Sequence, residues 1–352
     1  LDRTGDVVGR LSAWGTGGAI AGTFLAGFVL VAYAAVSTLI IGTGVALIVA
    51  GIAFAFTSRS ADPRHFAVAV PLAALGTVGY VALDTPCDVQ SSYYCIAIVD
   101  DSDRPGGQTL VLDDLRHSYV LAGDPTHLEF WYVRQIVGAI DALAPAGPLD
   151  VVTIGGGAMT VPTHLDATRP GTVNTVLEID PTLVEVVRDR LDVDVDRFDV
   201  RTGDGRLNLH DLADESADVV VGDAFGSKAV PWHLTTEEFI ADIARVLRPG
   251  GIYVVNTIDG AEQAFVRAQT ATIRAALPHT AVMVGQSLAD GRTGNAVIVG
   301  SDAPFDGARW DDARSQRDDS GELIDDIDDY IDGALVLRDD FAPVDQLIAG
   351  RR

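Results

Sequence analysis

The chain has 352 residues, of which 50 are acidic and 25 basic, giving a formal charge of −25 together with a mean hydropathy of +0.23. This acidic surplus argues against a nucleic-acid partner, because phosphate binding requires a basic face. A chain that is both this charged and net hydrophobic must separate the two properties: residues 11–83 carry almost no charge, and the acids crowd into 84–352.

The first segment, residues 1–83, is predicted to be a membrane segment of two or three spans. The uncharged runs 11–33 and 35–56 are each long enough to cross a bilayer as a helix. A third run, 66–83, is shorter and is left open as a short span, a re-entrant piece or an interfacial helix. We therefore expect an integral membrane chain with the lipid bilayer as partner.

Arginines beside these runs set the expected orientation. Arg3 and Arg10 precede the first run, and Arg59 and Arg64 follow the second, so the positive-inside rule places both flanks in the cytoplasm. If 66–83 does not cross, the large domain lies on the cytoplasmic face, which is the expectation adopted here. If it crosses, that domain lies outside.

Residues 84–123 are predicted to form a small β-hairpin subdomain. The strand-like runs SSYYCIAIV and GQTLVLDDL are joined by the turn-rich DDSDRPGG. Cys87 and Cys95 lie close together here and can close a disulfide loop if this side of the membrane is oxidising. The sequence leaves that pairing open.

Residues 124–305 alternate between short apolar runs and amphipathic stretches. The runs are LDVVTI, TVNTVLEI, RFDVRTG, ADVVVGD and GGIYVVNT, with PTLVEVVRDRL and TTEEFIADIARVL among the helical stretches. This alternation predicts an α/β domain with a doubly wound, mostly parallel sheet that binds its ligand at the carboxyl ends of the strands. HTAVMVG and NAVIVGS are expected to add antiparallel edge strands, and 306–352 to form an acidic C-terminal extension.

Four of these predicted strands end in glycines or an acid. Gly155, Gly156 and Gly157 follow the first strand, where they allow a tight turn and let a ligand approach backbone N–H groups. Glu178 ends the second strand and can accept both hydroxyls of a ribose. Asp204 follows the third and can accept from an adenine amine, and Asp223 follows the fourth. Together these positions predict a nucleoside-type ligand.

The sequence indicates neither a metal nor an assembly. The histidines are scattered, and no pair has the spacing of metal ligands on one helix, so no metal site is expected. Self-association into a homo-oligomer is left open.

From about residue 90 to 259 the chain resembles the spermidine synthase (polyamine aminopropyltransferase) family, and in particular its membrane-fused bacterial and archaeal branch. The motifs, each followed by the family pattern, are QSSYY (ESxYQ), LVLDDLRH (LxLDGxxQ), GGGAMT (GGGDGG), VLEID (VEID), GDG (GDG/GDA) and VGDAFGSKAVPWHLTTEEF (VDSTDPxGPxxxLFTxEF). The resemblance implies a Rossmann-like, class I methyltransferase-type sheet.

The resemblance also implies roles for the strand-end residues. The three glycines, Gly155, Gly156 and Gly157, would hold the amino-acid-derived arm of S-adenosylmethionine or its decarboxylated form, the expected cosubstrate. Glu178 would hold the ribose, and Asp204 with Gly205 the adenine. Asp223 would be the catalytic acid/base that receives the proton of the attacking amine.

The chain departs from the family pattern in the half of the site that holds the amine. Ala158 and Gly226 replace two acids, and Tyr94 and His117 replace two glutamines. A cationic amine needs an anionic partner in a partly dry site, so ordinary spermidine synthesis is disfavoured. Tyr94, His117, Glu129 and His233 are the candidate contacts for the acceptor substrate.

Three hypotheses follow. The first is an aminopropyl-type transferase that acts on a small-molecule amine and releases methylthioadenosine. The second is an S-adenosylmethionine enzyme of another outcome, either methyl transfer or elimination or cyclisation to methylthioadenosine. The third is a non-catalytic module that binds a nucleoside.

Overall fold

The computed structural model describes residues 2–31, 36–57, 87–226, 229–316 and 319–349. These residues fall in two compact units, Leu1–Ala97 and Ile98–Arg352. Each unit is described by itself below.

The first unit is dominated by two apolar helices. Helix α1 (Asp2–Leu25) continues as a short π-helix (Ala26–Leu30), and α2 spans Val36–Thr57. By length and composition Val7–Leu30 is able to cross a membrane, and none of its most apolar window is buried inside the chain. Ser37–Ala53 is a shorter apolar helix. The third predicted run, 66–83, lies outside the described residues.

A disulfide and a short strand pair complete the first unit. Strand β1 (Val89–Gln90) is antiparallel to the start of β2 (Cys95–Asp100), with Val89 opposite Ile96. Cys87 and Cys95 form a disulfide with a Cα–Cα distance of 5.1 Å. The pairing that the sequence left open is therefore present in the structure.

The second unit begins with the end of β2 and a β-hairpin. Strands β3 (Gly107–Leu112) and β4 (Leu115–Leu121) pair antiparallel from Gly107↔Leu121 to Leu112↔Leu115. The predicted turn-rich stretch lies between β2 and β3, where the Asp101 N–H donates to the Gly107 carbonyl. Strand β4 was missing from the prediction, because its LRHSYVL sequence places charged and polar residues between the apolar ones.

An eight-stranded sheet forms the body of the second unit, in the order β12-β10-β11-β9-β8-β5-β6-β7. Its strands are β5 (Asp150–Ile154), β6 (Val173–Glu178), β7 (Asp199–Thr202), β8 (Ala217–Gly222), β9 (Leu247–Asp259), β10 (His279–Val284), β11 (Gly294–Ser301) and β12 (Glu322–Leu323). Strands β5 to β9 are parallel, and β10, β11 and β12 pair antiparallel. The predicted doubly wound α/β sheet is confirmed.

Helices cover both faces of this sheet. They are α3 (Trp131–Leu143), α4 (Thr160–Thr168), α5 (Pro181–Arg190), α6 (Gly205–His210), α7 (Glu237–Val246), α8 (Ala264–Ala276), α9 (Gln286–Ala289), α10 (Gly307–Gln316), α11 (Ile327–Tyr330) and α12 (Val344–Ile348). Alternate residues of each strand face opposite sides of the sheet, where two separate apolar clusters lie. Val219 and Val221 pack in the cluster with α3 and α4, whereas Val220 packs in the cluster with α7 and α8.

The C-terminal segment, expected as an acidic extension, contributes to both apolar clusters. Trp310 is fully buried with the α3 residues, and its indole N–H donates to the Gln135 carbonyl at 3.1 Å. Leu337 and Val344 are buried in the opposite cluster. The acids of this segment therefore lie between anchoring apolar residues that hold it on the domain.

Candidate functional site

The glycine turn after β5 brings the backbone against the end of β8. Gly155 has a φ of +93°, and a Cβ there would clash with the Asp223 carbonyl. Gly157 has a φ of +50° and lies against the Ser118 hydroxyl. Only glycine tolerates both a positive φ and so close a contact with the neighbouring backbone. The glycine turn therefore packs directly against the end of β8.

Glu178 ends β6 with its carboxylate turned to the glycine turn. Its two oxygens accept the Gly156 N–H at 2.7 Å and the Asp180 N–H at 3.0 Å. Burial raises the pKa of this carboxyl, and the backbone N–H donors oppose that shift. Each oxygen of an ionised carboxylate can accept a second hydrogen bond, so Glu178 retains acceptor capacity for the hydroxyls of a ligand.

Asp204 lies at the N-terminus of α6, after β7. Its Oδ1 caps the helix by accepting the Leu207 N–H at 3.0 Å, and its Oδ2 lies 3.0 Å from His233 Nε2. Gly205 is the first residue of α6, and a Cβ there would meet Ile154 at 2.9 Å. His233 therefore lies beside a residue predicted for the adenine, and its predicted contact with the acceptor stays a prediction.

Asp223 follows β8, half-buried at the strand end. Asn256, on the neighbouring strand β9, donates from Nδ2 to Asp223 Oδ1 at 2.9 Å. Burial raises the pKa of Asp223 to about 7, although hydrogen bonds from Asn256 and Tyr132 lower it. A carboxyl with this pKa is divided between its acid and base forms at neutral pH, as general acid–base chemistry requires.

Tyr132, at the start of α3, links Asp223 to β4. Its hydroxyl lies 2.8 Å from the His117 carbonyl oxygen and also faces the Asp223 carboxylate, so its single proton is shared between two acceptors. Burial raises the pKa of Tyr132 well above its ordinary value. Neither Tyr132 nor Asn256 was predicted from the sequence. The available signals were a tyrosine opening an apolar helix and a polar residue interrupting the apolar GGIYVVNT strand.

His117 contributes to the site through its backbone. Its carbonyl accepts the Tyr132 hydroxyl. Its Nε2 is buried and has no hydrogen-bond partner among the described residues, and burial lowers the pKa of the imidazole. A buried, neutral imidazole with an unused nitrogen fits a ligand contact, so the acceptor role of His117 stays a prediction.

Glu129 lies in a network of its own. Its Oε2 is 2.8 Å from an Arg104 guanidinium nitrogen and 3.0 Å from His127 Nε2. The hydrogen bonds from His127 and Arg104 lower the pKa of Glu129 despite its partial burial. Because Arg104 already neutralises this carboxylate, the structure gives no support to Glu129 as the partner of a cationic acceptor.

Tyr94 belongs to the first unit, in a turn where its backbone N–H donates to the Ser91 hydroxyl at 2.9 Å. Its predicted contact with the acceptor stays a prediction.

The two positions where acids were replaced differ in their surroundings. Ala158 is fully buried, and its N–H donates to the Ser118 hydroxyl at 3.1 Å. Gly226 is exposed, and its N–H donates to the Ala229 carbonyl at 2.8 Å. Residues 227–228 between them lie outside the described residues. In the described parts of the chain, no group of three or more histidine, cysteine or acidic residues is arranged to hold a metal ion.

Two cavities lie beside these residues. One of about 300 Å³ runs along α4 and is lined by Tyr119, Thr163 and Phe198 among others. Another of about 550 Å³ opens between the loop after Asp223 and the C-terminal segment, at Gly226, Trp232 and Phe341. Asp223 is not among the residues that line either of these two cavities.

Comparison with known proteins gives matches that agree with this architecture. A methyltransferase domain family matches residues 152–255. A polyamine aminopropyltransferase of Chromobacterium violaceum is 29% identical over 139 residues, which are 39% of this chain and 52% of the relative. The chain thus spans about half the length of this curated relative.

Solved structures agree with that match. A probable spermidine synthase from Corynebacterium glutamicum superimposes with a TM-score of 0.66 and 27% identity, covering 70% of this chain and 94% of that one. The spermidine synthase from Thermotoga maritima has a TM-score of 0.50 and 19% identity, covers 71% and 83%, and supports the fold alone. The resemblance to spermidine synthases seen in the sequence motifs is confirmed.

Proposed function

We propose that this chain is a membrane-anchored, spermidine-synthase-like transferase. It uses S-adenosylmethionine or the decarboxylated form, transfers the carbon arm of the sulfonium to an amine, and releases methylthioadenosine. The observation that carries the proposal is Asp223, a strand-end carboxyl with a pKa of about 7 that is contacted by Asn256 and Tyr132 beside a glycine turn.

The chemistry assigned to Asp223 is proton removal from the attacking amine. The amine nitrogen forms a bond to the carbon attached to the sulfonium, and the carbon–sulfur bond breaks with its electron pair passing to sulfur. Methylthioadenosine leaves, and the proton lost by nitrogen goes to the Asp223 carboxylate. The ionised carboxylate also stabilises the positive charge that develops on nitrogen.

The remaining strand ends suit the nucleoside part of the cosubstrate. Gly155, Gly156 and Gly157 form the turn assigned to the arm, and Glu178 has the acceptor capacity for ribose hydroxyls. Asp204 is the acceptor assigned to the adenine amine. His233 already bonds one of its oxygens, so the histidine and the adenine would share this carboxylate.

A second outcome is supported by the acceptor half of the site. Ala158 and Gly226 supply no charge where the family pattern has acids, and Glu129 is neutralised by Arg104. A weakly anionic acceptor site disfavours a polyamine substrate. It leaves room for elimination or cyclisation of S-adenosylmethionine to methylthioadenosine without an acceptor, with Asp223 again as the base.

Membrane anchoring is proposed on the apolar helix Val7–Leu30, which is long enough to span a bilayer. The Cys87–Cys95 disulfide favours an oxidising compartment for the residues beside it. We therefore assign the catalytic unit to the outer face, in place of the cytoplasmic face expected from the flanking arginines.

Product analysis tests the proposed reaction. The full chain is incubated with S-adenosylmethionine or its decarboxylated form, with and without putrescine, and the products are separated by chromatography. Methylthioadenosine with an aminopropylated amine identifies the transferase, and methylthioadenosine without one identifies the second outcome. S-adenosylhomocysteine would identify methyl transfer, and absence of turnover with either cosubstrate would leave a binding module.

A further inference from the structure

Three adjacent strands each place a polar residue at the same edge and on the same face of the sheet. On this face, β8 presents Val219 and Val221, β9 presents Ile252 and Val254, and β11 presents Val297 and Val299, all in the apolar cluster that packs against α3. Two residues further along the same face come Asp223, Asn256 and Asn295. The apolar pattern of each strand is thus interrupted near the same edge of the sheet, in three neighbouring strands.

These three side chains form a directed chain of hydrogen bonds. Asn295 donates from Nδ2 to Asn256 Oδ1 at 3.0 Å, and Asn256 donates from Nδ2 to Asp223 Oδ1 at 2.9 Å. Asn256 lies opposite Val297 in the antiparallel β9–β11 pair, so Asn295 is its diagonal neighbour. Asn256 is only 2% exposed, so the N–H and carbonyl groups of its side-chain amide must find their hydrogen-bond partners within the protein.

The direction of this chain follows from the chemistry of the groups. An ionised carboxylate only accepts hydrogen bonds, whereas an amide presents a donor at one end and an acceptor at the other. If the Asn256 amide turned over, its oxygen would face the Asp223 carboxylate and repel it. The Asn295 N–H opposes this rotation because it requires an oxygen opposite it.

We propose that Asn295 is a positioning residue that holds the Asn256 amide with its N–H toward Asp223. This inference rests on the proposed function, in which Asp223 takes the proton of the attacking group. Asn256 uses one acceptor position of Oδ1, and the carboxylate keeps further lone pairs that can receive the proton.

Few other groups face Asp223. The Tyr132 hydroxyl approaches from α3 and Asn256 from β9, and no charged side chain in the described parts of the chain contributes to the pKa of this carboxyl. A change in Asn256 orientation is therefore expected to act directly on the protonation of Asp223.

The test compares variants at residue 295 with a matched charge control. In Asn295→Asp, the new carboxylate can only accept, so Asn256 is expected to turn its N–H toward residue 295 and its oxygen toward Asp223. Asn295→Ala removes the donor without reversing the amide. Thr293→Asp is the control, because it adds the same charge two residues away at an exposed position.

A measurement of protonation that needs no turnover keeps the test independent of the proposed reaction. The free energy of unfolding is measured from pH 4 to 9 for the wild-type chain and for each of the three variants. Each is compared with the same chain that also carries Asp223→Asn. Burial raises the pKa of Asp223, so its stability contribution is present at low pH and is lost as pH rises through the folded-state value of about 7. The loss begins near the unfolded-state pKa of about 4 and ends near the folded-state pKa, so the pH at which it levels off reports the protonation of Asp223 in the folded chain.

We expect Asn295→Asp to move the levelling-off pH upward by about one unit or more, because the ionised form loses a charge-assisted hydrogen bond. Asn295→Ala should give a smaller upward shift, and Thr293→Asp should leave the levelling-off pH in place. The proposal is overturned if neither residue-295 variant moves this pH, or if Thr293→Asp moves it as far as Asn295→Asp. Absence of turnover in the wild-type chain and in every variant, with the expected shifts, would refute the proposed reaction and leave the positioning role standing.

Discussion

At the scale of single residues, the site depends on how one carboxyl is held between its two protonation states. Burial raises the pKa of Asp223, and the donors Asn256 and Tyr132 restrain the shift so that it ends near 7. Both hydrogen bonds favour the ionised form of the carboxyl, which is the form that accepts a proton in the proposed reaction.

Tyr132→Phe should raise the pKa of Asp223, because the ionised carboxylate loses a donor while its burial is unchanged. In the wild-type chain, kcat/KM for methylthioadenosine release should rise with pH through about 7. In the variant we expect this rise to move to higher pH and the rate at pH 7 to fall by about tenfold. The measurement is the pH profile of kcat/KM.

Tyr330→Phe is the matched control, since it removes a hydroxyl that bonds Gln263 instead of Asp223. An unchanged profile in Tyr132→Phe, or the same displacement in both variants, would contradict the role given to the Tyr132 hydroxyl.

At the scale of elements, the strand ends were predictable and their partners were not. Alternation of apolar strands with amphipathic helices locates the turn at Gly155, and it also places Glu178 and Asp223, because parallel strands present their carboxyl ends at one edge. The partners come from distant segments. Tyr132 enters from the helix before β5, and Asn256 from a strand whose buried polar residue has no local explanation.

Glu129 and His233 also have partners that are distant in the sequence. Arg104 reaches Glu129 from 25 residues away, and His233 reaches Asp204 across 29 residues. A sequence pattern gives the spacing along the chain but not which side chains meet across a turn of the fold. The replaced acids at Ala158 and Gly226 could be recognised only by comparison with the family motifs.

Gly155→Ala tests the contact between the glycine turn and β8. The new Cβ would clash with the Asp223 carbonyl at a φ of +93°. We expect the free energy of unfolding to fall by about 1–3 kcal/mol from the backbone strain alone, with a further loss from the displaced strand end. Chemical denaturation of the full chain measures this change.

Gly147→Ala provides the control for strain, because Gly147 has a φ of +95° and nothing within 4 Å of an added Cβ. The difference between the two variants isolates the contact with β8. Equal losses of stability in both variants would show that this contact contributes nothing beyond backbone strain.

At the scale of the whole molecule, the chain combines an apolar N-terminal unit with an acidic α/β unit. The described apolar helices contribute to the positive mean hydropathy, and most of the acids fall in the second unit. Such a division suits an acidic domain that is anchored to a bilayer by apolar helices. The Cys87–Cys95 disulfide bears on which side of the bilayer this domain lies.

The oxidation state of Cys87 and Cys95 in cells tests the proposed side. If the catalytic unit lies in an oxidising compartment, both cysteines should be linked when cells are lysed in an alkylating reagent. Mass spectrometry should then detect alkylation of either residue only after reduction. Quantitative alkylation of both thiols without reduction would instead place this unit in the cytoplasm.

If Asp223 is the base in a reaction that releases methylthioadenosine, the rate of that release should depend strongly on its carboxylate, and Asp223→Asn measures this dependence. The asparagine keeps the shape of the side chain but cannot take a proton, so we expect the rate to fall by about 10²–10⁴-fold. Asp214→Asn, which removes an exposed carboxylate paired with Arg245, should retain the wild-type rate. Methylthioadenosine release by Asp223→Asn at the rate of Asp214→Asn would contradict the account.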